Sequence, residues 1–282
     1  DLYVTNVRTG NRLFLNDGKA RFTDVSNGSG LGHKAHSSSA VFFDYDRDGY
    51  LDLYVTQYVD FDPRRICTQE GGRRDFCGPT QFPGVSDTLY RNLGGRGFRD
   101  VSDETGVAGT DYAGLGVVSA DLNDDGWMDI YVANDADPNN LWINQGDGTF
   151  ADEAIVSGAA FSGYGVAEAG MGIAVGDSDG DGDLDLFVSH LVQETSTYYE
   201  NRGPEGFEDT TVELGLAASS VSSTGFGTAF FDYDNDGDLD LAVVNGFDWD
   251  GYFNYPNYIW YPSNFLHDYS PGNPQPDRVY EN

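Results

Sequence analysis

Four nine-residue segments carry oxygen-bearing side chains at alternate positions: DYDRDGYLD from Asp44, DLNDDGWMD from Asp121, DSDGDGDLD from Asp177 and DYDNDGDLD from Asp232. Positions 1, 3, 5 and 9 are Asp44, Asp46, Asp48 and Asp52 in the first and Asp121, Asn123, Asp125 and Asp129 in the second. They are Asp177, Asp179, Asp181 and Asp185 in the third, and Asp232, Asp234, Asp236 and Asp240 in the fourth. Glycine holds position 6 each time. Alternate side chains of such a loop point inward and glycine permits the sharp turn. The backbone carbonyl at position 7, from Tyr50, Trp127, Asp183 or Asp238, completes a set of hard oxygen ligands. This is Ca²⁺ chemistry, one ion per loop and about four per chain. One such motif could be a plain solvated acidic turn; four in register argue otherwise. The Asp121 loop, with Asn123 at position 3, has one carboxylate fewer and is expected to bind most weakly. Asp1, alone in the same frame, is expected to bind nothing.

The elements that must hold these loops follow from their flanks. An EF-hand needs a Glu at position 12 and helices on both sides. Position 12 is instead Val55, Val132, Val188 and Val243, and the flanks are β-branched and aromatic runs such as AVFF before and DLYVTQ after the first loop. Those runs read as strands buried on both faces. Downstream of each ladder comes a second pattern of an apolar pair, Asn, Gly and then Phe with an acidic residue, as in LYRNLGGRGFRD and LWINQGDGTFAD. This reads as two more strands and a glycine turn. Asp1, Asp52, Asp129, Asp185 and Asp240 are spaced by 51, 77, 56 and 55 residues, the period of a repeat architecture. Four antiparallel strands per repeat make an all-β protein and select a β-propeller whose blades carry a Ca²⁺ loop at their first connection.

The run from Gly225 through Gly227 to Asp232, with its loop, resembles the FG-GAP/VCBS repeat of the integrin α-subunit propeller. Nearer still is the likeness to cartilage acidic protein-like bacterial proteins, which often add an ASPIC/UnbV domain. The resemblance implies a seven-bladed propeller of which this chain forms a part. One departure is Ser38-Ser39-Ala40 in the first full repeat, where the others have Gly-x-Gly. The expected division is a partial blade at 1–36, blades at 37–113, 114–169 and 170–224, and a second partial blade at 225–282. The chain therefore reads as a mature or fragmentary piece of a longer repeat protein. Its incomplete end blades could pair with each other or with a neighbouring chain.

Composition fits a folded, calcium-loaded protein. The aromatic content of 14% rules out disorder, and a formal net charge of −32 would strain a compact fold. Four Ca²⁺ would return eight positive charges and leave about −24. That acidity argues against nucleic acid and anionic membrane surfaces, and no apolar run approaches the ~18–20 residues of a membrane span. Cys67 and Cys77 lie in an insertion in the longest repeat. They read as a disulfide, with two free thiols as the alternative, and not as a zinc site. A disulfide and loops that fill at millimolar Ca²⁺ point to an extracellular, cell-surface or periplasmic location.

Catalytic motifs are missing, and the organised aspartate pairs are committed to the loops, so the chain is not expected to be an enzyme. His33 and His36 read as surface residues, and His190 and His267 carry no motif. The aromatic stretch from Phe247 to Tyr261 could stack on sugars or anchor a protein, or simply pack over a blade. Arg64, Arg65, Arg73 and Arg74, within the insertion from Tyr58 to Asp87, either neutralise local acid or meet a partner. The function expected is a secreted or cell-surface adhesion scaffold for a protein or glycan partner on the cell surface or in the matrix. The alternatives are a polysaccharide-active propeller enzyme and a structural subunit of a surface assembly. A cleft lined by carboxylates outside the loops would favour the enzyme.

Overall fold

In the computed structural model the described residues are 1–246 and 278–280, apart from 8, 33–35, 69–71 and 76. The aromatic stretch from Phe247 to Tyr261, His33 and His267 lie outside them. The first unit is a three-stranded antiparallel sheet of β1 (Leu2–Val4), β2 (Arg12–Asn16) and β3 (Phe22–Asp24). In the second, β4 (Ser37–Phe43), β5 (Asp52–Gln57), β8 (Thr88–Asn92) and β9 (Phe98–Asp100) form a four-stranded sheet. The ribbon of β6 (Cys67–Thr68) and β7 (Arg74–Asp75) is inserted between its second and third strands. The third unit is β10 (Gly114–Ala120), β11 (Asp129–Asn134), β12 (Asn140–Asn144) and β13 (Phe150–Asp152). The fourth is β14 (Ile173–Gly176), β15 (Asp185–Val188), β16 (Thr197–Asn201) and β17 (Phe207–Asp209). Last come β18 (Gly225–Phe231), β19 (Asp240–Asn245) and β20 (Arg278–Tyr280). Every pairing in these sheets is between antiparallel strands in chain order, as the strand patterns led us to expect, and each aspartate ladder joins a first strand to a second.

The core lies between sheets. Leu53 and Val55 of β5 face Leu13 and Leu31 of the first unit, while Tyr54, between them, faces Ile130 and Val132 of the third. Tyr131 then faces Leu186 and Val188, and Phe187 faces Leu241 and Val243. A strand covered on both faces needs apolar residues at consecutive positions, which is why these runs do not alternate with polar ones. Fully burying each such side chain contributes about 1.5–3 kcal/mol.

The first strands of successive units lie side by side, β4 by β10, β10 by β14 and β14 by β18. Their approach explains the Gly-x-Gly motif. A Cβ on Gly116 would sit 2.3 Å from the Met171 carbonyl oxygen, and one on Gly172 1.8 Å from that of Phe226. Strand pairing aligns Ser37, opposite Gln57, with Gly114, opposite Asn134. The serines that replace the glycines are therefore Ser37 and Ser39, one residue before the register expected from the sequence, and β4 forms regardless. Four-residue helices follow the fourth strands: α1 (Ser102–Thr105), α2 (Ala154–Ser157) and α3 (Ala217–Ser220). A single turn leaves no 3.6-residue periodicity to detect, so the sequence reading misses them.

Candidate functional site

Each ladder loop is organised by its own carboxylates. In the first, the Asp48 and Gly49 N–H groups donate to Asp44 Oδ1 and Oδ2 at 3.1 and 2.9 Å. Asp125 and Gly126 do the same to Asp121 at 3.1 and 2.8 Å, and Asp236 and Gly237 to Asp232 at 3.1 and 3.2 Å. In the third loop Gly180 N–H donates to Asp177 Oδ1 at 2.9 Å. Two positions adopt left-handed backbone. The expected glycine at position 6 has φ 87° at Gly49, and position 4 is also left-handed, with φ 57° at Arg47, 56° at Asp124 and 64° at Asn235. Asp and Asn tolerate that conformation and arginine does so less readily.

This folding brings carboxylate oxygens within 4.8 Å of one another in three groups: Asp44, Asp46 and Asp48; Asp177, Asp179 and Asp181; and Asp232, Asp234 and Asp240. Such all-oxygen clusters can hold a hard cation. In the second loop Asn123 breaks the carboxylate series, and its Nδ2 donates to Asp125 Oδ2 at 3.1 Å. Crowding shows in the acidities. Burial, with neighbouring aspartates adding to it, raises the carboxyl pKa of Asp46, Asp179 and Asp234.

The position-9 aspartates have a second task. Asp52 is buried, and accepts the Tyr45 N–H at 3.2 Å and the Asn92 N–H at 2.7 Å. Asp129 accepts those of Leu122 and Asn144 at 3.0 and 2.8 Å. Asp185 accepts those of Ser178 and Asn201 at 3.1 and 3.0 Å, and Asp240 accepts that of Tyr233 at 2.7 Å. Each of the first three ties its loop to the end of the third strand. Burial pushes the carboxyls of Asp52 and Asp129 up to about 7, opposing the N–H groups that lower them. A carboxylate has about four lone-pair sites; Asp185 also accepts the Ser178 and Tyr198 hydroxyls, both at 2.8 Å, and so uses all four.

The asparagines that close the third strands are functional residues the sequence reading assigned only to a turn. Asn144 Nδ2 donates to the Tyr45 carbonyl of the preceding unit at 2.9 Å, and Asn201 Nδ2 to the Leu122 carbonyl at 3.0 Å. Each latches one unit's loop to the next unit. Their recurrence beside the glycine turn was the available signal.

Two arginines enter the first loop's surroundings. Arg91, on β8, places Nη2 2.6 Å from Asp46 Oδ2 and 3.4 Å from Asp48 Oδ2. Arg47 lies over the Trp127 ring at 4.0 Å, joining the first loop to the second.

Elsewhere, Cys67 and Cys77 form the disulfide, with Cα atoms 5.2 Å apart. Arg64 pairs with Asp62 at 2.9 Å and Arg65 lies 5.7 Å over Phe82, so this half of the basic cluster is engaged within the insertion. His36 is not the surface residue expected: it is half-buried, edge-on to Tyr58 and Phe61. His190 is buried with Nδ1 2.8 Å from the Thr195 carbonyl and 3.3 Å from Glu168 Oε2. Burial pulls its pKa down to about 4 and pushes that of Glu168 up to about 7. A cavity of about 970 Å³ opens between the insertion and the second unit, lined by His36, Asp60, Asp87, Asp103, Glu104 and Asp111 among others. Asp87 in it accepts the Tyr54 hydroxyl at 2.9 Å and the Gln57 N–H at 2.7 Å, and burial pushes its pKa up to about 7. Among the described residues no helix is long and apolar enough to cross a membrane.

Solved structures resemble the chain distantly. A candidate exo-β-1,3-galactanase from Bifidobacterium bifidum S17 aligns over 86% of this chain and 76% of its own, with 11% identity and a TM-score of 0.46. An Agrocybe aegerita lectin that recognises non-reducing terminal N-acetylglucosamine aligns over 86% and 73%, with 19% identity and a TM-score of 0.31. The Photorhabdus luminescens Tc holotoxin pore matches over 86% of this chain but 13% of its own, at 16% identity and a TM-score of 0.29. No curated protein sequence matches the chain. The FG-GAP-like repeat family matches residues 1–55 and 121–188, stretches that contain three of the four aspartate ladders, and the chain carries FG-GAP-like repeats there.

Proposed function

We propose that the four ladder loops bind Ca²⁺ and that the chain is a calcium-stabilised, propeller-type scaffold. It would act outside the cytoplasm, in adhesion or recognition of a protein or glycan partner. The observation that carries this reading is the recurrence of a three-carboxylate cluster on the same loop of the second, fourth and fifth units, at Asp44, Asp177 and Asp232. The ion would be held by the carboxylates at positions 1, 3, 5 and 9, with Asn123 replacing one, and by the carbonyls of Tyr50, Trp127, Asp183 and Asp238. Its contribution is charge: it neutralises side chains whose repulsion opposes the hairpin. The disulfide fits an oxidising compartment. Metal analysis and native mass spectrometry at millimolar calcium are expected to find four ions per chain. Fewer than three would overturn the reading.

The polysaccharide-active alternative has one observation in its favour, the cavity lined by Asp60, Asp87, Asp103, Glu104 and Asp111, all outside the loops. Several of these groups are already engaged: Asp87 with Tyr54, Glu104 with Arg99 and Asp111 with Ser86. That ranks the scaffold first. Release of reducing ends from a polysaccharide panel, abolished by Asp87→Asn in a folded protein, would reverse the ranking.

A further inference from the structure

We propose that Arg91 is a built-in counter-cation that makes the Asp44 loop the weakest of the four calcium sites. The inference rests on the calcium reading above. Counting charges inside the loops ranks the Asp121 loop last, because of Asn123. That count omits any group reaching a loop from elsewhere, and Arg91 does so from 43 residues away. Its guanidinium lies against the Asp46 and Asp48 carboxylates, two of the three groups that cluster there. It occupies the place of a cation, and an entering Ca²⁺ must share those carboxylates with it or displace it.

The corresponding third-strand position, one before the closing asparagine, is Ile143 in the third unit and Glu200 in the fourth. The same place in the fold is thus a cation touching its loop in the second unit, an apolar residue in the third, and in the fourth a glutamate paired with Arg202. Charge within each loop amplifies the contrast. The Asp177 loop adds Asp183 to its four ladder aspartates, whereas the Asp44 loop carries Arg47 at position 4. Arg47 reaches toward Trp127, so its charge is shared with the second loop. Arg91 bears on the first loop alone. A unit charge a few ångströms from a divalent ion changes its affinity by about tenfold or more, even at the high effective dielectric of a surface site.

The test is a calcium titration of the full chain followed by NMR at the backbone amides of Gly49, Gly126, Gly182 and Gly237, one per loop. In the wild type the Gly49 midpoint is expected to lie at the highest calcium. Arg91→Gln lowers that midpoint about tenfold and leaves the other three in place. Arg91→Lys, which keeps the charge, leaves Gly49 near its wild-type value and separates charge from packing. A Gly49 midpoint that is unchanged or raised in Arg91→Gln would overturn the proposal, because Arg91 would then be neutral or would pre-organise the ligands. Filling of Gly49 ahead of the others in the wild type would overturn it too. If none of the four glycines responds to calcium, the calcium reading itself fails, and that pattern is distinct from the others.

Discussion

Residues 1–5 and 52–56 are the same five amino acids, Asp-Leu-Tyr-Val-Thr, on strands paired in the same way with the next strand, and they meet opposite fates. Leu2 and Val4 are 47% and 37% exposed, whereas Leu53 and Val55 are 0% exposed. The difference lies in what covers them. The first unit stacks on Leu53 and Val55, while no described sheet stacks on Leu2 and Val4. The aspartates differ in the same way. Asp52 follows a complete ladder and bonds two loop and strand N–H groups, while among the described residues Asp1 accepts the Asn16 N–H alone, at 2.9 Å. Burial in this protein is conferred by neighbouring units, and the full set of position-9 hydrogen bonds goes with a complete ladder.

The strongest way to break this contrast is to remove calcium. A site a hundredfold above its Kd contributes about 2.7 kcal/mol, so four sites rival the ~5–15 kcal/mol of a typical domain. Excess chelator is expected to lower the melting temperature by at least about 10 °C. A melting curve that chelator leaves unchanged would mean that apolar stacking alone holds the units.

Next in size is truncation at the matched leucines. Leu53→Ala leaves a cavity between two sheets and is expected to cost about 2–5 kcal/mol. Leu2→Ala, at an exposed face, should cost under about 1 kcal/mol. Urea unfolding of both variants measures the difference, and equal losses would show that Leu2 is covered in solution.

The latch gives a smaller contrast. Asn144→Ala strands the Tyr45 and Met128 carbonyls and is expected to cost about 1–3 kcal/mol. Among the described residues the side chain of Asn16, the first unit's counterpart, accepts the Gly18 N–H alone, and Asn16→Ala should stay within about 0.5 kcal/mol. The same unfolding curves decide it.

The His190–Glu168 pair supplies the smallest effect, because its two slopes oppose each other. His190 is held neutral in the fold down to about pH 4 but takes a proton near 6.5 when unfolded. The unfolded chain therefore binds more protons in that window, and stability is lost as pH falls through it. Glu168, raised to about 7 from 4.5, takes up its proton in the fold first, so its contribution grows as pH falls from 7 to 4.5. The two largely cancel between pH 6.5 and 4.5. Glu168→Gln removes the second slope, and its melting temperature is expected to drop more than the wild type's between pH 7 and pH 5. Parallel curves would show that the Glu168 carboxyl is not raised in the fold.

Much of the architecture was legible because it is repeated. The ladders, the strand pairs flanking them and the glycine turns recur from Asp44 to Asp240, so four weak local signals reinforce one another. Single-turn helices such as Ala154–Ser157 left no periodicity, and the role of Asn144 depended on a carbonyl 99 residues away.

The sequence alone determined the oxygen donors, their two-residue spacing, the all-β character and the run of consecutive apolar positions that demands a sheet on either side. These are local properties, set by side-chain chemistry and backbone period. Only the tertiary structure decided which DLYVT is buried, that Asp52 holds a strand end as well as a loop, and that Arg91 reaches the first ladder. Burial, hydrogen-bond capacity and electric field at a residue are sums over everything folded against it. Identical residues therefore become different chemical objects once different neighbours pack upon them.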